Sequence, residues 1–312
     1  MQLQTKALYN LIRFNLDQGE KVQCEPWQSQ DLSSLSEEEL FKIINDLGFS
    51  QSEEQFVTFA SDADSPEALS EFLVEEKGDI SLYDRLYLVI FELWKRFFPD
   101  RKTISIFCDE LDQLINLYDN HLLESDESIQ DALESLKEIL EENVDEGQNP
   151  KESWKLIIQY CAHDLSSFLY DYISELIDTG HELYAQELIE AFYPFVGDRW
   201  FDFLRIRISD YVDADEEIRV LVSTFTKKPN FDLQVEVLDY LVETSDPDLF
   251  LSLLKKTISQ IEDREGFEDL VEIAIDFFNN SDQPQKAEEL EKMHDSYDSL
   301  PSDKKAFLSI IS

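Results

Sequence analysis

Between residues 164 and 297 the apolar periodicity of the chain restarts every 16 to 19 residues, and this rhythm restricts the available folds more than any other feature. Segments begin near Asp164, Glu182, Asp198, Asp215, Phe231, Pro247, Gly266 and Pro284, so two successive segments make a unit of 32 to 37 residues. Each segment holds one helix, and a pair can bury its apolar face only against the next pair. The spacing therefore predicts an all-α fold in which 148–312 form a helical-hairpin array, an α-solenoid. An acidic, less regular helical domain over 1–147 precedes it. The stretch 143–150, NVDEGQNP, interrupts the periodicity with Gly147 and Pro150 and is the candidate boundary, with an ordinary interhelical loop as the alternative.

The N-terminal half reads as helices with recognisable ends. Ser36 and Glu39 have the spacing of a capping box, Leu35 can staple onto Leu40, and Gly48 supplies a stop. Ser65 before Pro66 repeats the start signal, with Gly78 as the stop. Leu86, Val89, Ile90, Leu93, Trp94 and Phe97 give 82–98 the widest apolar face, which predicts the buried centre of this half. The β-branched run 218–225 follows acidic residues suited to a helix first turn, so helix is favoured over strand there.

With 69 acidic residues against 26 basic ones, the formal charge is -43, yet 43% of residues are hydrophobic, enough to build a core and exclude general disorder. The deepest stretch is 109–146, where 14 acids face only Lys137. Such a field repels phosphates and anionic membranes and attracts basic proteins or peptides; direct nucleic-acid binding is not expected. Cys24, Cys108 and Cys161 are too few and too dispersed for a disulfide scaffold, and no run of apolar residues reaches bilayer length. A reducing, cytoplasmic setting is the expectation, with export lacking a classical signal as the alternative. The charge disfavours self-association without fixing an oligomeric state.

Signals for chemistry are few. Phosphate-cradling glycine loops and the G-x-S-x-G elbow are missing, and the seven glycines sit mostly at segment ends. His181-Glu182 begins an H-E-x-x-H zinc motif, but position 185 is Ala. Glu291 and His294 form one E-x-x-H unit where a di-metal bundle uses two. Asp62 with Asp64, and Asp213 with Asp215 and Glu217, resemble fragments of an EF-hand loop without its glycine and closing glutamate. Cys161 and His163, two apart on an expected helix, would point in different directions, so Cys161 is read as core beside Ile157 and Leu165. No catalytic, cofactor-binding or metal-ligating residue is assigned, and no cofactor is expected. Among Phe192, Tyr193, Phe195, Trp200, Phe201 and Phe203, the phenylalanines are expected in the core, with Tyr193 and Trp200 as the exposed exceptions.

From about Asp164 to Tyr297 the chain resembles tetratricopeptide-type and related helical repeats such as HEAT repeats. The likeness rests on unit length, on Ala185 and Ala191 in ELYAQELIEAFYPF and Ala287 in QPQKAEELEKM, and on Pro194 and Pro229 near segment ends. The W-x2-L-G-x2-Y signature of the first helix is not present. The resemblance implies a protein-binding concave face. Together with the charge, it leads to the expectation of a non-enzymatic scaffold, adaptor or chaperone that receives a basic protein or peptide. A nucleic-acid mimic acting on a DNA-binding protein is the first alternative, and an enzyme with a pocket between helices the second. The candidate partner-binding residues are Asp109, Glu110, Asp112, Asp119, Glu124, Glu138, Glu141, Glu142, Tyr193 and Trp200.

Overall fold

A computed structural model describes residues 3–49, 51–77, 80–123, 125–197, 199–211, 215–225, 227, 230–243, 246–295 and 300–312. Gly78, Glu124, Asp198, Asp213, Pro229 and Tyr297, all used in the sequence reading, lie outside the described residues. Among the described residues the fold is all-helical, with 17 α-helices, three short 3-10 helices and no strand. The chain divides into two compact units, 1–169 and 170–312.

The first unit contains α1 (Thr5–Asp17), α2 (Glu37–Asp46), α3 (Glu53–Asp62), α4 (Pro66–Lys77), α5 (Tyr83–Phe97), α6 (Ile104–Asp119), α7 (Glu127–Asp145) and α8 (Pro150–Ile157). Ser36 starts α2 as expected: Glu39 N–H donates to Ser36 Oγ at 3.3 Å, while Ser36 N–H donates to Glu39 Oε2 at 2.8 Å. Helix α5 is the centre. Leu86 through Phe91, Leu93 and Trp94 are all buried, the all-round burial of a core helix. It packs against α2 and α4, while α6 packs against α1 and α7.

The division between units falls at Leu169/Tyr170, within α9 (Leu165–Asp178), and not in 143–150. The physical reason is local. Asn149 caps α8 through Lys151 N–H at 3.0 Å, Trp154 and Ile157 are buried, and α8 packs on α7. The polar stretch is thus an interhelical turn, closed by Gly147 at φ +100°, a conformation that favours glycine. Gln4 N–H donates to Gln159 O at 2.8 Å, which ties the residues after α8 to the start of the chain.

The second unit continues through α10 (Glu182–Val196), α11 (Arg199–Tyr211), α12 (Asp215–Phe225), α13 (Phe231–Tyr240), α14 (Pro247–Ile258), α15 (Arg264–Asn280), α16 (Pro284–Asp295) and α17 (Leu300–Ile310). The run 218–225 is helical, within α12. Helices α11, α13, α15 and α17 contact one another in turn, and α11 packs on α10 and α12, α13 on α14, α15 on α14 and α16, and α17 on α16, a succession compatible with a helical-hairpin array. Phe250 and Phe277 stack with centroids 3.8 Å apart, both fully buried, at the α14–α15 junction. Gly266 permits the close approach of α13: a Cβ there would lie 2.7 Å from the Phe231 ring.

Several of the scarce cations serve the fold. Arg96 donates to the carbonyls of Leu35 at 2.8 Å, Ser33 at 3.1 Å and Leu32 at 3.3 Å. Arg101 donates to Ala60 O at 2.8 Å and Ala63 O at 2.5 Å, satisfying carbonyls at the end of α3, and lies 4.7 Å over the Trp94 ring. Lys304 donates to Ser259 O at 3.2 Å and Ile261 O at 2.8 Å beyond α14. With 26 basic residues against 69 acidic ones, and some of the cations bound to backbone carbonyls, most of the acids have no cation to pair with.

A candidate binding cleft between two acidic helices

Helix α6 has two working faces because residues three and four apart align along it. Ile104, Phe107, Leu111 and Leu114 point toward α7, and Cys108, Asp109 and Asp112 point into the unit. On α7 the stripe Ser128, Asp131, Ala132, Ser135, Glu138, Ile139 and Glu142 faces back across the gap. Between them lies a cleft of about 880 Å³. Its lining runs from Thr103 to Leu114 on one side and from Ser128 to Asn143 on the other, or about 16 Å and 22 Å of helix at 1.5 Å per residue.

Ile104, Leu114, Ala132 and Ile139 are only partly covered and form the apolar floor. Asp131, Glu138 and Glu142 are exposed along the α7 rim. On the opposite rim Glu110 pairs with Lys102 at 2.8 Å. Lys95, the other cation at the cleft, is held by Asp109 at 2.8 Å. The free charge of the lining is therefore negative. Asn143 Nδ2 is shielded from solvent at one end and has no hydrogen-bond partner among the described residues.

Under the floor, α6 carries a buried polar network. Asp109 accepts Lys95 at 2.8 Å, Lys6 at 3.0 Å and Asn10 Nδ2 at 2.9 Å. Burial works to raise its carboxyl, but the two lysines and the hydrogen bonds from Lys95 and Asn10 outweigh burial and hold it at about 2. Burial likewise works to lower the Lys95 ammonium, and Asp109 outweighs it and raises it. Asp112, fully buried, accepts Ala162 N–H at 2.8 and 2.9 Å, His163 N–H at 3.1 Å and Asn10 Nδ2 at 3.5 Å, and lies 3.1 Å from His163 Nδ1. These carboxylates hold elements together.

Two other openings differ in chemistry. A cavity of about 280 Å³ beside α1 is lined by Lys6, Arg13 and Lys95 opposite Asp31, Glu92 and Asp109, so its charges balance. A groove of about 480 Å³ between α10 and α11 is lined by Gln186, Ile189, Glu190, Tyr193, Pro194, Arg205, Ile208 and Ser209. There the Tyr193 hydroxyl donates to Asp202 at 2.7 Å, and Arg205 lies 5.2 Å over the Tyr193 ring. Burial first, then Asp202, raises the Tyr193 phenol.

No protein-family model matches the chain, and no curated protein or solved structure is significantly similar to it.

The candidate residues thus separate. Glu110, Glu138 and Glu142 come together at the cleft. Asp119 and Glu141 are exposed outside it. Asp109 and Asp112 are corrected from surface to interior: they are 4% and 0% exposed, because they lie on the α6 face that meets α1, α5 and the turn after α8. Tyr193 and Trp200 belong to the second unit, both partly covered, with Trp200 edge-on to Tyr170 at 5.4 Å. Phe192, Phe195, Phe201 and Phe203 are core. Cys161 is core as well, but it sits in the turn between α8 and α9 and not on a helix. Among the described residues no group of three or more His, Cys, Asp or Glu is placed to hold a metal ion, and no helix is long and apolar enough to cross a membrane. The floor residues and Asp131 were missed by sequence reading. The signal was available in the repeat Ser128, Asp131, Ser135, Glu138, Glu142, which lines one stripe of α7.

Proposed function

We propose that the protein is a non-enzymatic interaction protein, a scaffold, adaptor or chaperone, whose first unit takes up a basic amphipathic segment of a partner protein in the α6–α7 cleft. The single observation that carries this reading is the combination of a partly covered apolar floor with an acidic rim along at least three helical turns. An amphipathic helix presents apolar side chains at i, i+3, i+4 and i+7. Lys or Arg on its flanks would meet Asp131, Glu138 and Glu142. Each large apolar side chain fully removed from water contributes about 1.5–3 kcal/mol, whereas an exposed ion pair contributes about 0–1 kcal/mol. The floor would therefore supply most of the affinity, and the rim the sign preference and the rate of encounter. The wide acidic surface would raise the local concentration of a basic partner before docking.

A test is fluorescence anisotropy with a labelled helix-forming peptide of Lys and Leu, titrated with the wild-type protein and with Glu138→Lys/Glu142→Lys at 50 and 300 mM salt. The expected result is at least a tenfold weaker Kd for the variant at 50 mM salt, with a smaller difference at 300 mM. Equal affinity for an acidic peptide of Glu and Leu, or no effect of the two substitutions, would contradict the proposal.

A further inference from the structure

We infer that Cys108 and Cys161 are a buried dithiol that a disulfide-class oxidant converts into an intramolecular disulfide, clamping the connection between α8 and α9 onto α6. Both cysteines are free thiols, 0% and 1% exposed. Two contacts bring the segments that carry them together. Cys108 Sγ lies 4.0 Å from Ile157 O, at the end of α8. One turn further along the same face of α6, Asp112 holds the N–H of Ala162, the residue immediately after Cys161. A disulfide requires an S–S separation of about 2.05 Å, and the carboxylate anchor one turn along α6 already fixes the backbone beside Cys161.

The chemistry balances with an oxidised small-molecule disulfide as co-reactant. One cysteine thiolate attacks the oxidant's S–S bond and releases one small thiol, leaving a mixed disulfide. The second cysteine thiolate then attacks the protein sulfur of that bond and releases the other. Two protein S–H bonds are lost, one protein S–S bond forms, and two electrons and two protons end on the two released thiols. The neighbouring Cys108 side chain first, then burial, raises the Cys161 thiol well above its usual range, so the exchange is slow at neutral pH and quickens as pH rises. The bond would close the loop between residues 108 and 161 in the unfolded chain as well as the folded one. It stands independently of the peptide cleft.

The test uses the full chain carrying Cys24→Ser, since Cys24 is the partly exposed thiol that would form intermolecular adducts. The folded protein is incubated without denaturant in oxidised glutathione, then unfolded in guanidinium with N-ethylmaleimide and weighed by intact mass spectrometry. The expected product carries no maleimide and no glutathione, is about 2 Da lighter than the unmodified reduced chain, and melts about 5 °C or more above the reduced protein. Addition of Cys161→Ala should abolish the mass loss and the rise in Tm together. Persistence of two alkylated cysteines after prolonged oxidation at pH 8.5 would overturn the inference. So would glutathione adducts alone, or a disulfide product that melts below the reduced protein.

Discussion

Replacing Asp112 with Ala should destabilise the first unit by about 3–5 kcal/mol, since removing one member of a buried, hydrogen-bonded charged network costs about that much. The magnitude follows from the partners. The carboxylate is fully buried and accepts the backbone N–H groups of Ala162 and His163. Each buried donor left without an acceptor costs about 1–3 kcal/mol, and the space left by the carboxyl adds to that. Asn10 tempers the loss, because its amide keeps Asp109 at 2.9 Å. Asp112→Asn should cost less, about 1.5–3 kcal/mol, since its oxygen still accepts while its NH2 faces backbone donors. Urea unfolding followed by tryptophan emission reports the change, with Asp119→Ala as an exposed control on the same helix. Amide exchange over 158–164, measured by mass spectrometry, localises it independently of whether the two units unfold together. A shift below about 0.5 kcal/mol with unchanged exchange in 158–164 would refute the reasoning.

Other predictions concern charge and helix ends. Asp109, held at about 2 against an ordinary 3.8, contributes about 2 kcal/mol that is fully present above the unfolded value and lost as pH falls from about 4 toward 2; acid titration of stability should show this loss, reduced in Asp109→Asn. Arg101→Ala leaves the Ala60 and Ala63 carbonyls without their donor and removes the cation from the Trp94 face, an expected loss of about 2–3 kcal/mol in urea unfolding that Arg101→Lys only partly restores. With a net charge of -43, self-repulsion should make the urea midpoint rise between 20 and 500 mM sodium chloride; a falling midpoint would contradict a surface dominated by unpaired acids.

Helix positions were legible where caps and spacing agreed. Starts expected at Glu182, Asp215, Phe231, Pro247 and Pro284 coincide with α10, α12, α13, α14 and α16. Helix α3 escaped notice because its buried face is only Phe56 and Ala60, while Phe59 is exposed; the Ser52 and Gln55 capping box was its one strong signal. The division at 169/170 lies away from 143–150, whose polar Gly- and Pro-containing sequence reads the same whether it links domains or turns between packed helices. What distinguishes them here is Asp112 reaching 50 residues along the chain to Ala162, a contact without a local signature. The same limit applies to the acidic patch. Composition identifies 109–146, but only packing separates the inward Asp109 and Asp112 from the outward Glu110, Glu138 and Glu142.

The most direct test of the cleft is methyl spectroscopy of the full chain with labelled Ile and Leu, titrated with the basic Lys and Leu peptide. Binding in the α6–α7 cleft predicts saturable shifts at Ile104, Leu111, Leu114 and Ile139, with Ile189 and Ile208 of the α10–α11 groove unmoved. Shifts confined to Ile189 and Ile208, or no saturable shift at the four cleft methyl-bearing residues, would contradict the account.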